Sequence, residues 1–357
     1  MRSGAATGRA GGPRGKSRFA IFFACLRVVF GTLMCLTIAG TLPVLAEQFA
    51  PDGAPDPTAS GVSQQTLLRE VPRIEGYIDI PDTRASVLMQ PAGRMWDHFH
   101  EVTLHWFGAV VIIGMIAVLG CAFLILGRLR ISAGRSGTKV QRFNAFERFS
   151  HWLTAVSFVV LALTGLNITF GKILLLPVIG KDAFSSLSQA AKYVHNFTSF
   201  AFVIGLVLIV AMWLKDNIPR KVDVDWLRQG AGFIKSKHAP AGRFNAGEKA
   251  VFWLALLAGV AVGVSGYLLL FPFYVTNIAG MQIAQVVHAV IAMLFVALIL
   301  GHIYIGTFGM EGAFEAMWTG EVDYNWAKEH HDLWLEDELA KHEAAGPARY
   351  PSATPAE

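Results

Sequence analysis

Charge is what this chain has little of. Only 16% of its 357 residues are charged and 54% are hydrophobic, with a mean hydropathy of +0.46. A soluble domain carries about 25% charge, so this balance excludes an ordinary soluble enzyme and points to an integral membrane protein. Cysteine is equally scarce. Cys25, Cys35 and Cys121 make no disulfide framework, and no Cys-x-x-Cys-His is present to attach a c-type haem. The chain is basic, with a pI near 9.0, but no basic run is interleaved with aromatics. The charge therefore belongs to loops beside a membrane, and nucleic acid is excluded as a partner.

What is present is a series of apolar runs, at about 18–46, 104–126, 152–171, 194–214, 250–273 and 283–308. The first follows Arg2, Arg9, Arg14, Lys16 and Arg18 and ends Val44-Leu45-Ala46, the pattern of a secretory signal peptide (1–46). An uncleaved anchor helix is the alternative, because the run is long and holds Arg27. Residues 47–103 begin polar and turn-rich (PDGAPDPTAS) and form an arm too poor in apolar residues for its own core.

Loops 128–150 and 215–249 are rich in Lys and Arg, whereas 172–193 has three lysines and the turn near 274–282 has none. The rich loops go to the cytoplasm. The expected architecture is an all-α integral membrane protein of the bacterial inner membrane. It has an additional transmembrane helix at 104–127, a cytoplasmic loop at 128–150, a four-helix bundle at 151–310 and a cytoplasmic tail at 311–357. The arm then faces the periplasm. The tail stretch 322–342 (VDYNWAKEHHDLWLEDELAKH) reads as an amphipathic helix at the membrane surface, anchored by Trp326 and Trp334.

Histidines carry the chemistry. His288 and His302 share one apolar run, VVHAVIAMLFVALILGHIYIG. Fourteen residues at about 100° each come within about 40° of four full turns, so the two rings share a face roughly 21 Å apart. His195 (KYVHNF) falls at the outer side with His288, and His151 (FSHWL) at the inner side with His302. Neutral imidazoles paired across a bundle core suit haem iron, so two bis-histidine haems b are expected. A transporter would add carboxylates at the same depth, and the apolar runs carry none. His98, His100 and His105 offer a surface metal site, or His105 as a substitute for His195, as alternatives.

From about Val140 to His331 the chain resembles the cytochrome b (gamma) subunit of respiratory formate dehydrogenases. The resemblance rests on the order of RFNAFERFSHW, GLNITF, VHNF, KDNIPRKVDVDWL, GRFNAGEKAVFW, VVHAVIAMLFVALILGHIYIGTF and NWAKEHH. The preceding arm and span match only longer bacterial forms, and family members often carry Gln where this chain has Glu248. The resemblance implies two haems b with His151, His195, His288 and His302 as axial ligands. It also implies a quinone site at Asn245, Gly247 and His302, where an amide can bond a quinone carbonyl and a glycine admits the ring. The implied partners are an iron–sulfur (beta) subunit and a molybdenum or tungsten catalytic (alpha) subunit. Formate chemistry would lie there, because this chain has no iron–sulfur cysteine cluster, pterin-binding sequence or nucleotide loop. The alternatives are the cytochrome b subunit of a nickel–iron hydrogenase or thiosulfate reductase, and a haem-free membrane anchor.

Overall fold

The structure, a computed structural model, describes residues 96–229 and 239–344. The expected signal peptide and residues 47–95 of the arm lie outside the described residues. The described chain falls into two units, Trp96–Phe107 and Gly108 onward.

In the first unit Trp96–His98 begin a helix that passes into a π-helical turn, Phe99–Thr103. The last eight residues assigned to the arm are thus helical, and the candidate span they open runs Trp96–Leu126. Helix α1 is Leu104–Leu126.

The second unit holds the four other helices long and apolar enough to cross a membrane. These are α2 (Ala145–Leu174), α4 (Lys181–Trp213), α6 (Ala246–Leu270) and α7 (Ile278–Tyr304), the last continued by a π turn at Ile305–Gly309. A short α3 (Leu176–Ile179) joins α2 to α4. Helices α2 and α4 pack as one hairpin, and α6 and α7 as another. Outward positions such as Leu163, Phe197, Leu257 and Val264 are exposed and apolar, as a lipid-facing surface requires.

Each of these four helices begins before its apolar stretch. Asn144 caps α2, its Oδ1 accepting from the Glu147 N–H at 3.0 Å while Glu147 Oε2 accepts from the Asn144 N–H at 2.9 Å. Asn245 and Glu248 repeat this box at α6, with the same two distances. The helices therefore start at 145 and 246, not near 152 and 250. The apolar runs themselves carry no carboxylate, but Glu147 is buried within the first turn of α2, ahead of its run. Helix α4 begins at Lys181, so His195 lies well inside it and not at its edge.

Loop and tail form one cap at the end where α2 and α6 start. Strand β1 (Lys139–Gln141) pairs antiparallel with β2 (Glu321–Asp323), in register Lys139↔Asp323 and Gln141↔Glu321. Between them lie α5 (Lys221–Arg228) and α8 (Ala313–Trp318), and after β2 come α9 (Tyr324–His330) and α10 (Asp332–Ala344). Trp326 and Trp334 are buried in a core with Phe143, Trp213 and Phe244. The surface-anchored amphipathic helix is thereby corrected: these tryptophans hold a folded cap, and losing Trp326 would cost about 3–5 kcal/mol. Loop 128–150 and tail 311–344 are accordingly one packed layer.

Two details hold the cap together. The Gly320 carbonyl accepts from the Arg142 and Phe143 N–H groups at 2.8 and 3.1 Å. Gly320 has φ +89°, and a Cβ there would meet the Phe143 carbonyl oxygen at 2.5 Å, so only glycine fits. Asp323 gathers the N–H groups of Ser136, Gly137 and Asn325 at 2.8–3.1 Å. Burial alone would raise its pKa, but these donors hold the carboxyl below the ordinary aspartate value.

Candidate functional site

The structure brings the four histidines together in the predicted pairs. The His151 and His302 ring centres are 6.2 Å apart with planes inclined 59°, near the capped end of the bundle. His195 and His288 are also 6.2 Å apart, inclined 71°. An iron between two imidazoles needs metal–nitrogen bonds of about 2.0–2.1 Å, and with about 1.1 Å from each nitrogen to its ring centre the spacing comes to about 6.3 Å. Both pairs fit that gap. None of the four residues is fully buried, and His302 is exposed, so the rings are open to a ligand.

Hydrogen bonding settles which nitrogen faces inward for two of them. The Thr164 hydroxyl donates to the Val160 carbonyl at 2.7 Å, so it accepts from His195 Nδ1 at 2.9 Å. His288 Nδ1 lies 3.0 Å from the Val262 carbonyl and 3.2 Å from Ser265 Oγ, whose own proton goes to the Ala261 carbonyl at 2.6 Å. In both rings Nδ1 carries the proton and Nε2 the lone pair, the tautomer a metal ligand needs. A Cβ at Gly266 would lie 3.0 Å from His288 Cε1, so a glycine there leaves the ring room to turn. Imidazole donors, their spacing and their fixed tautomers all fit haem.

Sequence reasoning missed the layer between the pairs. Phe158, Phe202 and Phe295 form an aromatic triad, with ring centres 4.6 Å apart for Phe158–Phe295 and 6.2 Å for the other two contacts. Each lies seven residues after a pairing histidine: His151, His195 and His288. Two helical turns place a residue at i+7 on the same face, so the signal was in the spacing.

Asn245 and Gly247 sit at the start of α6, on the capped side. The Asn245 Oδ1 is committed to the helix cap, which leaves its amide N–H groups to bond a carbonyl. A Cβ at Gly247 would stand 3.3 Å from Trp226 Cη2, so the backbone runs close under that ring. Buried charge surrounds the turn. Arg142 NH2 donates to Glu248 Oε1 at 2.9 Å, Arg243 pairs with Glu147 at 2.6 Å and Asp216 at 3.0 Å, and Lys249 pairs with Asp223 at 2.8 Å. His331, fully buried, bonds through Nδ1 to the Gly242 carbonyl at 2.9 Å. Burial, helped by the Arg142 guanidinium, pushes its pKa down to about 3. The KEHH tail motif thus belongs to this cluster.

His98 is exposed, and His105 Nδ1 lies 3.0 Å from the His100 carbonyl. Among the described residues no group of three or more His, Cys, Asp or Glu side chains is arranged to hold a metal ion.

The family described as prokaryotic cytochrome b561 matches residues 142–320, half of the chain. Among curated proteins, the chain is similar to the formate dehydrogenase cytochrome b556(fdo) subunit of Escherichia coli K12. The two are 27% identical over 202 residues, covering 56% of this chain and 92% of the relative. The nitrate-inducible cytochrome b556(Fdn) subunit of the same strain is 28% identical over 211 residues, covering 57% and 94%. The formate dehydrogenase cytochrome b556 subunit of Haemophilus influenzae is 28% identical over 208 residues, covering 57% and 84%.

Proposed function

The chain belongs to the prokaryotic cytochrome b561 family, and from that premise we propose that it is the membrane-anchoring, dihaem cytochrome b subunit of a formate dehydrogenase. It would pass electrons from an iron–sulfur subunit to a quinone. The chain is an integral membrane protein, and its family implies haem b. The observation that carries the finer reading is the pair of 6.2 Å histidine contacts, each spaced for one metal. The curated relatives favour formate dehydrogenase over hydrogenase or thiosulfate reductase as the complex.

In this reading His151 and His302 hold the haem at the capped end, and His195 and His288 hold the other. Bound haem supplies one-electron redox chemistry. Thr164, Ser265 and the Val262 carbonyl fix the ligand tautomers, and the phenylalanine triad keeps the space between the pairs dry. Asn245 donates to a quinone carbonyl, Gly247 lets the ring approach, and His302 borders both sites. With the rich loops cytoplasmic, quinone is reduced on the inner side while electrons enter from the periplasm, which charges the membrane without a pump. The periplasmic arm docks on the iron–sulfur subunit, and the catalytic subunit lies beyond it.

The test is a reduced-minus-oxidised visible spectrum of the purified complex. A b-type difference signal equivalent to two haems per chain is expected. A flat spectrum in a fully assembled complex would instead make this chain a haem-free anchor.

A further inference from the structure

Arg142 Nε, Trp326 Nε1 and His331 Nε2 are buried polar atoms of the cap with no hydrogen-bond partner among the described residues. They belong to one neighbourhood. The Arg142 guanidinium carbon is 5.1 Å from the centre of the Trp326 ring, and the Trp326 and His331 ring centres are 5.2 Å apart. The three residues are 5%, 2% and 0% exposed, so bulk solvent does not reach them. A buried donor or acceptor left without a partner is costly, so three together call for an occupant.

The chemistry of the three atoms selects that occupant. Arg142 Nε–H and Trp326 Nε1–H are donors. His331 Nδ1 gives its proton to the Gly242 carbonyl, so Nε2 is an acceptor. An anion would meet the imidazole lone pair and the Glu248 carboxylate, and a cation would meet two N–H groups. Water alone accepts twice and donates twice, matching the two donors, His331 Nε2 and the Glu248 Oε2 that lies 3.6 Å from it.

We propose that the Arg142–Trp326–His331 cluster binds a buried water that relays protons to Glu248, and that Glu248 delivers them to the quinone. This deepens the quinone reading and rests on it. On one side, Arg142 and Gly242 form part of the wall of a polar cavity of about 810 Å³ that also includes Glu147, Asp216 and Lys249. On the other, Glu248 Oε2 accepts from the backbone N–H of Asn245, the residue assigned to the quinone. Water in the cavity passes a proton to the buried water, which passes one to the Glu248 carboxylate. The Glu248 carboxyl then gives its proton to a quinone oxygen. Two such transfers, with two electrons from formate by way of the partner subunits, convert quinone to quinol. Arg142, Trp326 and His331 are positioning residues.

Two variants in the intact complex test this. Glu248→Gln keeps the helix cap and the bond to Arg142 but carries no proton. His331→Asn keeps a donor to the Gly242 carbonyl but has no acceptor at the Nε2 position. Both should retain two haems and formate-driven haem reduction, while quinol formation falls about tenfold and its solvent deuterium effect rises. Independently of turnover, redox-difference infrared spectra of the wild type should show a carboxyl band that shifts in D2O and is lost in Glu248→Gln. Unchanged rates, or no such band in the wild type, overturn the relay. Asn245→Ala separates the two readings. If that variant loses quinone reduction while Glu248→Gln does not, the relay alone is wrong. If Asn245→Ala reduces quinone normally, the site lies elsewhere and the relay falls with it.

Discussion

Acidification should loosen the cap through one residue, His331. Its ring is fully buried and neutral in the fold, with a pKa near 3, whereas an unfolded histidine titrates near 6.5. The sign follows directly. Between pH 6.5 and pH 3 the opened cap binds a proton that the closed cap does not, so opening is favoured as pH falls. Working from those two values, opening from pH 5.5 is easier than from pH 7 by about 1.3 kcal/mol, roughly an eightfold larger open population. Burial is the main cause, Arg142 adds to it, and Glu248 opposes it. Asp323 has the same sign but acts only below its ordinary value of 3.8, outside this window. The assay is amide hydrogen exchange of the His331 and Leu335 N–H groups, which bond to the Ala327 and His331 carbonyls, corrected for the intrinsic pH dependence of exchange. The His331→Asn variant should show no such slope between pH 7 and pH 5.5. An equal slope in wild type and variant would refute the assignment to this ring.

Two further outcomes follow from the helices and the clasp. A His195→Ala variant should lose one haem and keep the other, read as half the b-type signal; retention of both at full occupancy would promote His105 in its place. Replacing Gly320 with Ala drives a methyl onto the Phe143 carbonyl and should destabilise the cap by about 2 kcal/mol or more, seen as faster proteolysis after β1 with haem content unchanged.

Much of this was legible in the sequence, for physical reasons. A span must satisfy its backbone internally, so apolar runs give helices, and fixed helical spacing gives the depth of each histidine. The ends were harder, because polar residues at 144–149 and 245–249 look like loop by hydropathy. Yet Asn-x-x-Glu at both places is a capping box, and it could have extended the helices to include Glu147 and Glu248. The cap was not legible. The strand partner of Lys139 is Asp323, far along the chain, and three-residue strands have no periodicity to detect. Trp326 and Trp334 met the pattern of interfacial anchors, and only the tertiary fold shows them buried.

The β1–β2 ladder has a consequence for how the molecule is made. Its first strand precedes α2 and its second follows α7, so the clasp cannot close until the last span has left the ribosome. Until then the end of the bundle bearing His151 and His302 is unlatched and its helices are free to part. Synthesis order thereby makes the clasp a late step in assembling the described bundle, with β2 and the helices after it, α9 and α10, as the bolt.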